Sequence, residues 1–207
     1  AKLNWMMGWT LQACPFTSDC FVIWTAPKIT TGCKTDVKAP KAAIELPYFI
    51  GPHQMTTLES RLATEVANAK SLLGHLQNGI SIFGGARVTK ESPDFATARE
   101  IARLLALNGY SVIVGGGPGI MEAANQGAFE AANLDPKVRS VGLNIVLPFE
   151  EKGNEYQHIS VNFEHFASRK VSFLRHSKKG FVVCPGGFGT LDEVFEVLCL
   201  QGTRKID

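Results

Sequence analysis

The chain has 207 residues, 45% of them apolar and 19% charged, with a formal net charge of +2. That length fits one ordinary domain able to bury roughly 70% of its unfolded surface. The balance excludes a disordered chain, a nucleic-acid-coating protein and a membrane-surface protein, and no uncharged apolar run reaches the roughly 18 residues of a transmembrane helix.

Residues 1–54 hold all three tryptophans, three of the five cysteines and, as acids, only Asp19, Asp36 and Glu45. Neither a helical nor a strand period persists there, so the segment reads as an irregular extension of unknown role. Its opening is no convincing signal peptide, because Gly8, Thr10 and Gln12 interrupt any apolar core, and the lack of arginine argues against an organelle leader. The cysteines are odd in number and contain no C-x-x-C pair, and the five histidines show no H-E-x-x-H spacing. Structural zinc, a disulfide framework and metal catalysis therefore have no support, and a reducing, cytoplasmic setting is expected.

From residue 55 to 207 the pattern becomes that of a catalytic or binding domain. "TLESRLATEVANAKSLLGHLQ" predicts an amphipathic helix, with Leu58, Leu62, Val66, Ala69 and Leu73 on one face. "GISIFGGARV" reads as a buried strand entering a loop at Gly84-Gly85. Ser92 and Pro93 signal a helix start, as N-cap and first helical residue, and that helix stops at Gly109. "YSVIVGGG" is the next strand and "PGIMEAANQGAFEAAN" the next helix. "RSVGLNIVL" and "HISVNF" follow as strands, "FASRKVSFLRHSKK" as a helix, "GFVVCPGG" as a strand and "TLDEVFEVLCLQ" as a helix. Nearly every strand is a continuous apolar run separated from the next by a helix. That pattern predicts an α/β fold: a Rossmann-like, doubly wound parallel sheet flanked by helices. Sheets of this kind usually run on past such a last helix, so a domain cut short at its C-terminus is expected.

Two glycine-rich turns fall at strand ends, where parallel α/β sheets bind ligands: "GGGPGIM" at 115–121 and "PGGFGT" at 185–190. Glycines let a ligand approach the backbone, and the free N–H groups of the following helix attract an anion. Tight strand-to-helix turns call for glycine in any case, but two such loops on one sheet favour an anionic ligand. A P-loop is excluded because no G-x-x-x-x-G-K-[ST] occurs. A dinucleotide site is disfavoured because the third glycine of G-x-G-x-x-G is missing and the acid at the required distance, Asp135, falls in a turn.

Glu193, Val197 and Leu200 share a helical face, whereas Asp192 and Glu196 share a polar one. Glu193 reads either as a carboxylate held near the ligand loop or as the far half of a capping box with Thr190. Arg169 shares a face with Phe173 and His176, opposite the apparent core stripe of Ala167, Val171 and Leu174. By periodicity it is a surface arginine or the lining of a pocket or subunit contact.

"GGGPGIMEAANQGA", then "SRK" at 168–170, then "PGGFGTLDE" resemble the LOG ("Lonely guy") family of cytokinin riboside 5′-monophosphate phosphoribohydrolases. Pro185, Gly186, Gly187, Gly189, Thr190 and Glu193 match the hallmark P-G-G-x-G-T-x-x-E in full. The resemblance runs from about residue 80 to 203, and "GLNIVLPFE" is similar to the longer bacterial-type members. It implies hydrolysis of the N-glycosidic bond of N6-substituted adenosine 5′-monophosphates, or of AMP, to free base and ribose 5-phosphate. By the match, Arg169 and Glu193 fall on the catalytic pair. Gly115, Gly116, Gly117, Gly119, Lys170, Gly186, Gly187, Phe188, Gly189 and Thr190 fall on or beside substrate and phosphate contacts, and Glu151 lies near a further one. Breaking that bond builds positive charge on the ribose, which a carboxylate can stabilise while it activates water. The resemblance also implies a homo-oligomer acting on a small nucleotide, with no cofactor, nucleic acid or membrane.

Three departures stand out: the chain stops before the family's last strand and helix, "LCLQGTRK" is irregular where members usually carry a threonine near Cys199, and residues 1–54 match nothing in it. Family members often carry the label "lysine decarboxylase", which would require pyridoxal phosphate and a Schiff-base lysine. A non-catalytic nucleotide or cofactor carrier on the same fold is the other reading. Cys184 reads as a buried apolar side chain rather than a nucleophile.

Overall fold

The computed structural model describes the backbone at residues 4–5, 9–13 and 21–23, and residues 57–132, 137–147 and 153–206 in full. The strands are β1 (Asn4–Trp5), β2 (Trp9–Ala13), β3 (Phe21–Ile23), β4 (Gly79–Phe83), β5 (Ser111–Val114), β6 (Ser140–Ile145), β7 (Ile159–Phe163) and β8 (Phe181–Val183). The helices are α1 (Thr57–Leu73), α2 (Pro93–Leu107), α3 (Ile120–Ala132), α4 (Phe166–His176) and α5 (Phe188–Gly202).

Five strands form the expected parallel sheet, in the order β8-β4-β5-β6-β7. The chain steps outward from β4 to β7 and then returns to place β8 on the other side of β4. The loops after β4 and β8 thus flank the point where the winding reverses, which is where an open α/β sheet forms its crevice. The continuous apolar runs have the predicted consequence: every residue of β4 and β5 is buried, as are the first five of β6. Edge strand β7 instead alternates, with Val161 and Phe163 inward and Ser160 and Asn162 outward.

Helices cover both faces. On one, α2 and α3 bury Phe95, Ala98, Ala102, Ala124 and Ala128 against Ile82, Val112 and Val114. They approach closely enough that a Cβ on Gly127 would stand 2.0 Å from the Arg99 carbonyl oxygen. On the other, Leu73, Phe173 and Val197 from α1, α4 and α5 pack on Phe83, Ile113, Leu143 and Phe181. The ring of Phe83 meets Phe173 edge-on at 5.2 Å and stacks on Phe181 at 5.6 Å. Truncating a ring in that cluster would cost about 3–5 kcal/mol. Helix α2 starts as its sequence dictates: the Ser92 hydroxyl accepts from the Asp94 N–H at 3.2 Å, Pro93 follows, and Gly109 beyond its end takes φ +82°.

The fold differs from the sequence expectation in three places. The segment read as irregular contains β1, β2 and β3, which pair antiparallel with one another and add through β3 to the β8 edge; strands of two to five residues are too short for a period to register. Helix α4 is turned the other way. Its buried residues are Ser168, Arg169, Ser172, Phe173 and His176, while Val171 is exposed. Finally, α5 begins at Phe188 with Gly187 as N-cap and no side-chain cap. Thr190 therefore lies inside the helix, Glu193 in its second turn, and the two form no capping box. Cys14, Cys20, Cys33, Asp135 and Glu151 lie outside the described residues.

Candidate active site

The carboxyl ends of β4, β5, β6 and β8 open into one cleft of about 1250 Å3. Its walls are the loops 84–88, 115–118 and 185–190, the end of β6 at Asn144 and Ile145, residues 153–155, and Phe166, Arg169 and Glu193.

The two glycine loops are built differently. In the first, a Cβ on Gly115 would stand 2.3 Å from Arg169 Nη2 and 2.6 Å from Met121 Sδ, so a side chain there would displace the ends of both. Gly116 and Gly119 take φ of +77° and +68°, backbone that favours glycine. The Gly116 carbonyl accepts from the Asn154 N–H at 2.8 Å, from Asn154 Nδ2 at 2.9 Å and from Gln157 Nε2 at 3.1 Å. Asn154 Nδ2 also donates to the Gly117 carbonyl and to Asn125 Oδ1. This loop is held by its own protein.

In the second loop only Gly186 is sterically required, since a Cβ there would stand 2.2 Å from Thr190 Oγ1. Gly187 and Gly189 meet nothing within 4 Å of an added Cβ, and neither has a positive φ. Their surroundings are open, and the first N–H groups of α5 face outward without a capping side chain. Such a helix start presents partial positive charge to an anion. Phe188 beside them is 92% exposed at the cleft mouth.

Arg169 and Glu193 meet across the cleft. Arg169 Nη2 lies 3.4 Å from Glu193 Oε1, its Nε donates to the Leu143 carbonyl at 2.8 Å, and its guanidinium sits over the Phe173 ring at 5.3 Å. Burial pushes the Glu193 carboxyl up to about 7, against the opposing pull of the Arg169 charge. A carboxyl group poised near neutrality can take up or release a proton at little cost. His176, on the same face of α4 as Arg169, is held at about 4 by burial, with Arg175 and Lys178 adding to the effect; it does not line the cleft.

Of the residues expected at the site, Gly115, Gly116, Gly117, Gly186, Gly187, Phe188, Gly189, Thr190, Arg169 and Glu193 line this cleft. Gly119 sits just behind it, its own Cβ position 2.5 Å from the Gly85 carbonyl oxygen. Lys170 is not brought in: it pairs with Asp192 at 3.1 Å and Glu196 at 3.0 Å, and none of the three lines the cleft. Asp192 and Glu196 are thus ion-paired rather than simply solvated. Cys184 is buried outside the lining. Asn144, Asn154, Phe166 and the loop 84–88 line the cleft without having been singled out from the sequence. An asparagine within the buried strand run "SVGLNI" was the one available signal for Asn144, because a polar group so placed needs partners; it finds Gln157 and Ser160.

A family described as "possible lysine decarboxylase" matches residues 121–207, which hold Arg169, the open glycine loop and Glu193. TM1055, a structural-genomics target solved by crystallography, is 30% identical, covering 57% of this chain and 67% of its own, with a TM-score of 0.46. The chain belongs to the LOG family. The molybdenum cofactor binding protein of the phototrophic bacterium Rippkaea orientalis is 28% identical, covering 60% of this chain and 72% of its own at a TM-score of 0.46. The molybdenum cofactor carrier protein of Chlamydomonas reinhardtii is 21% identical over the same shares, at 0.49. No curated protein matches the sequence.

A decarboxylase of the kind the family description names would hold pyridoxal phosphate on a lysine. The described lining of the cleft offers arginines and no lysine, so its residues do not fit that group. Among the described residues, no helix is long and apolar enough to cross a membrane.

Proposed function

We propose that the protein hydrolyses the N-glycosidic bond of adenosine 5′-monophosphate and its N6-substituted derivatives, releasing the free base and ribose 5-phosphate. The observation that carries this reading is the Glu193–Arg169 pair, set in the same cleft as an uncapped helix start with room around Gly187 and Gly189. The 5′-phosphate occupies that open loop and takes hydrogen bonds from the first turn of α5. Its binding energy, remote from the bond that breaks, holds the ribose over Glu193.

As the bond between C1′ and the base nitrogen lengthens, the base leaves with the electron pair and the ribose becomes cationic. The Glu193 carboxylate stabilises that cation and takes a proton from the water that adds to C1′. A proton reaches the departing base, so that water is consumed and no redox partner is required. Arg169 favours the ionised form of Glu193 and fixes its orientation through its own bond to the Leu143 carbonyl.

A second copy of the chain is proposed to cover the shallow apolar groove between α1 and α4, of about 460 Å3, where Leu62, Val66, Ala167 and Val171 are presented. Sedimentation of wild type beside Val171→Glu checks this: a dimer that dissociates supports it, and a wild-type monomer refutes it.

The catalytic reading is tested by chromatography of reactions with AMP and with N6-isopentenyl-AMP, running Glu193→Gln alongside. Free base plus ribose 5-phosphate, lost in the variant, is the expected result, and the ratio of the two rates identifies the preferred base. Nucleotide bound without turnover would instead favour a carrier role, the role printed for the Chlamydomonas relative.

A further inference from the structure

Among the described residues, the charges around the cleft leave one cation uncommitted. Arg169 is engaged by Glu193 and the Leu143 carbonyl, and Lys170 by Asp192 and Glu196. Lys90 lies 2.8 Å from Glu122. Arg87 lines the cleft, is exposed, and makes no ion pair or side-chain hydrogen bond among the described residues. The described lining otherwise brings three carboxyl side chains, Glu122, Glu155 and Glu193, against the two arginines. A dianion entering this cleft needs more positive charge than two helix starts and a committed Arg169 supply.

Arg87 also stands on a fixed platform. The Gly85 N–H donates to the Pro185 carbonyl at 3.0 Å, and the Gly85 carbonyl accepts from the Ile120 N–H at 3.0 Å. A Cβ on Gly85 would lie 3.2 Å from the Gly186 Cα, and one on Gly119 would lie 2.8 Å from the Ala86 carbonyl carbon. The backbone at 85–86 is therefore clamped between the starts of α3 and α5. The side chain of the next residue emerges beside both glycine loops.

We infer that Arg87 is the specificity residue that reads a phosphomonoester dianion in this cleft; the inference rests on the phosphoribohydrolase reading and assigns its discrimination between 5′-phosphorylated and free ribosides. A planar guanidinium can donate two parallel hydrogen bonds to two phosphate oxygens and carries a full charge, whereas a helix start offers only partial charge and a lysine only a point charge. Being exposed and without a partner among the described residues, Arg87 contributes little to the fold, and its replacement leaves the scaffold intact.

The test is calorimetric titration of wild type, Arg87→Ala and Arg87→Lys with ribose 5-phosphate, inorganic phosphate, AMP and adenosine, with thermal melts of all three proteins. Arg87→Ala is expected to bind AMP and ribose 5-phosphate about 10- to 100-fold more weakly, the loss of a charge-assisted hydrogen bond, while adenosine binding and the melting temperature stay unchanged. Arg87→Lys retains part of the affinity. Inorganic phosphate weakened by the same factor assigns the contact to the phosphate alone, and a smaller factor assigns it to the whole phosphoribosyl group; either supports the inference. Unchanged affinity for AMP in Arg87→Ala overturns it, as does an equal loss for adenosine. Wild type that binds AMP without hydrolysing it leaves the Arg87 assignment standing and overturns the hydrolase reading alone, whereas wild type that binds no phosphomonoester overturns both.

Discussion

The two glycine loops look alike in sequence and differ in what fills the space beside them. In the loop after β5, a side chain at Gly115 would strike Arg169, and the positive φ of Gly116 and Gly119 favours glycine there. In the loop after β8, the added Cβ of Gly187 or Gly189 meets nothing. The first loop is scaffolding: its glycines make room for protein, and through Gly115 it sets the position of Arg169. The second loop leaves space the protein does not use, beside an uncapped helix start. A glycine motif therefore reports a ligand only where the fold itself gives no reason for the glycine.

That contrast can be broken by substitution. Gly115→Ala should have the largest effect, because displacing Arg169 disturbs the pair with Glu193; a loss of about 100-fold in kcat/KM is expected, and near-normal kinetics would refute the account of this loop. Asn154→Ala removes four hydrogen bonds, three donated to Gly116, Gly117 and Asn125 and one accepted from the Tyr156 N–H. It should lower stability by roughly 2 kcal/mol, read by denaturant unfolding. Gly187→Ala sharpens the other side. Stability should fall by about 1 kcal/mol or less, the cost of alanine at an N-cap, while KM for AMP rises about 10-fold with kcat nearly constant. An unchanged KM would mean that no ligand uses the open space.

Glu193 provides a test by pH. Its carboxyl is raised in the folded protein to about 7 from 4.5, so between those values the folded protein retains a proton that the unfolded chain releases. The stability this contributes is full below about pH 4.5 and is lost as pH rises through about 7. The melting temperature of Glu193→Gln relative to wild type should therefore increase between pH 5 and pH 8. The activity of wild type, which uses the carboxylate, should rise over the same range toward a plateau. The smallest effect belongs to Lys170→Ala: with its ion pairs outside the cleft, KM should stay within about twofold of wild type, and its stability cost should be about 1 kcal/mol or less.

The strand and helix order was legible because strands buried on both faces read as apolar runs, and Ser92-Pro93 marks a helix start without ambiguity. Helix α4 was not legible. Its buried face carries Ser168, Arg169, Ser172 and His176, where periodicity expects apolar residues. The face is buried because Arg169 reaches a backbone carbonyl and a carboxylate in the cleft, a long-range arrangement no local pattern encodes. The start of α5 was misplaced for a related reason: Phe188 and Gly189 are helical although a glycine-rich stretch reads as loop. Lys170 shows the limit of a motif, since its neighbour Arg169 points into the cleft while Lys170, one residue on, faces away. Arg87 and Asn154 were invisible because their place follows from backbone contacts between separate loops.

The most direct test of the account follows the backbone amide signals by NMR while ribose 5-phosphate is added. The largest shifts are expected on Phe188, Gly189 and Thr190, and Gly187→Ala should diminish them. Shifts centred on Gly116 and Gly117, with residues 187–190 unmoved, would contradict it and make the first loop the anion site.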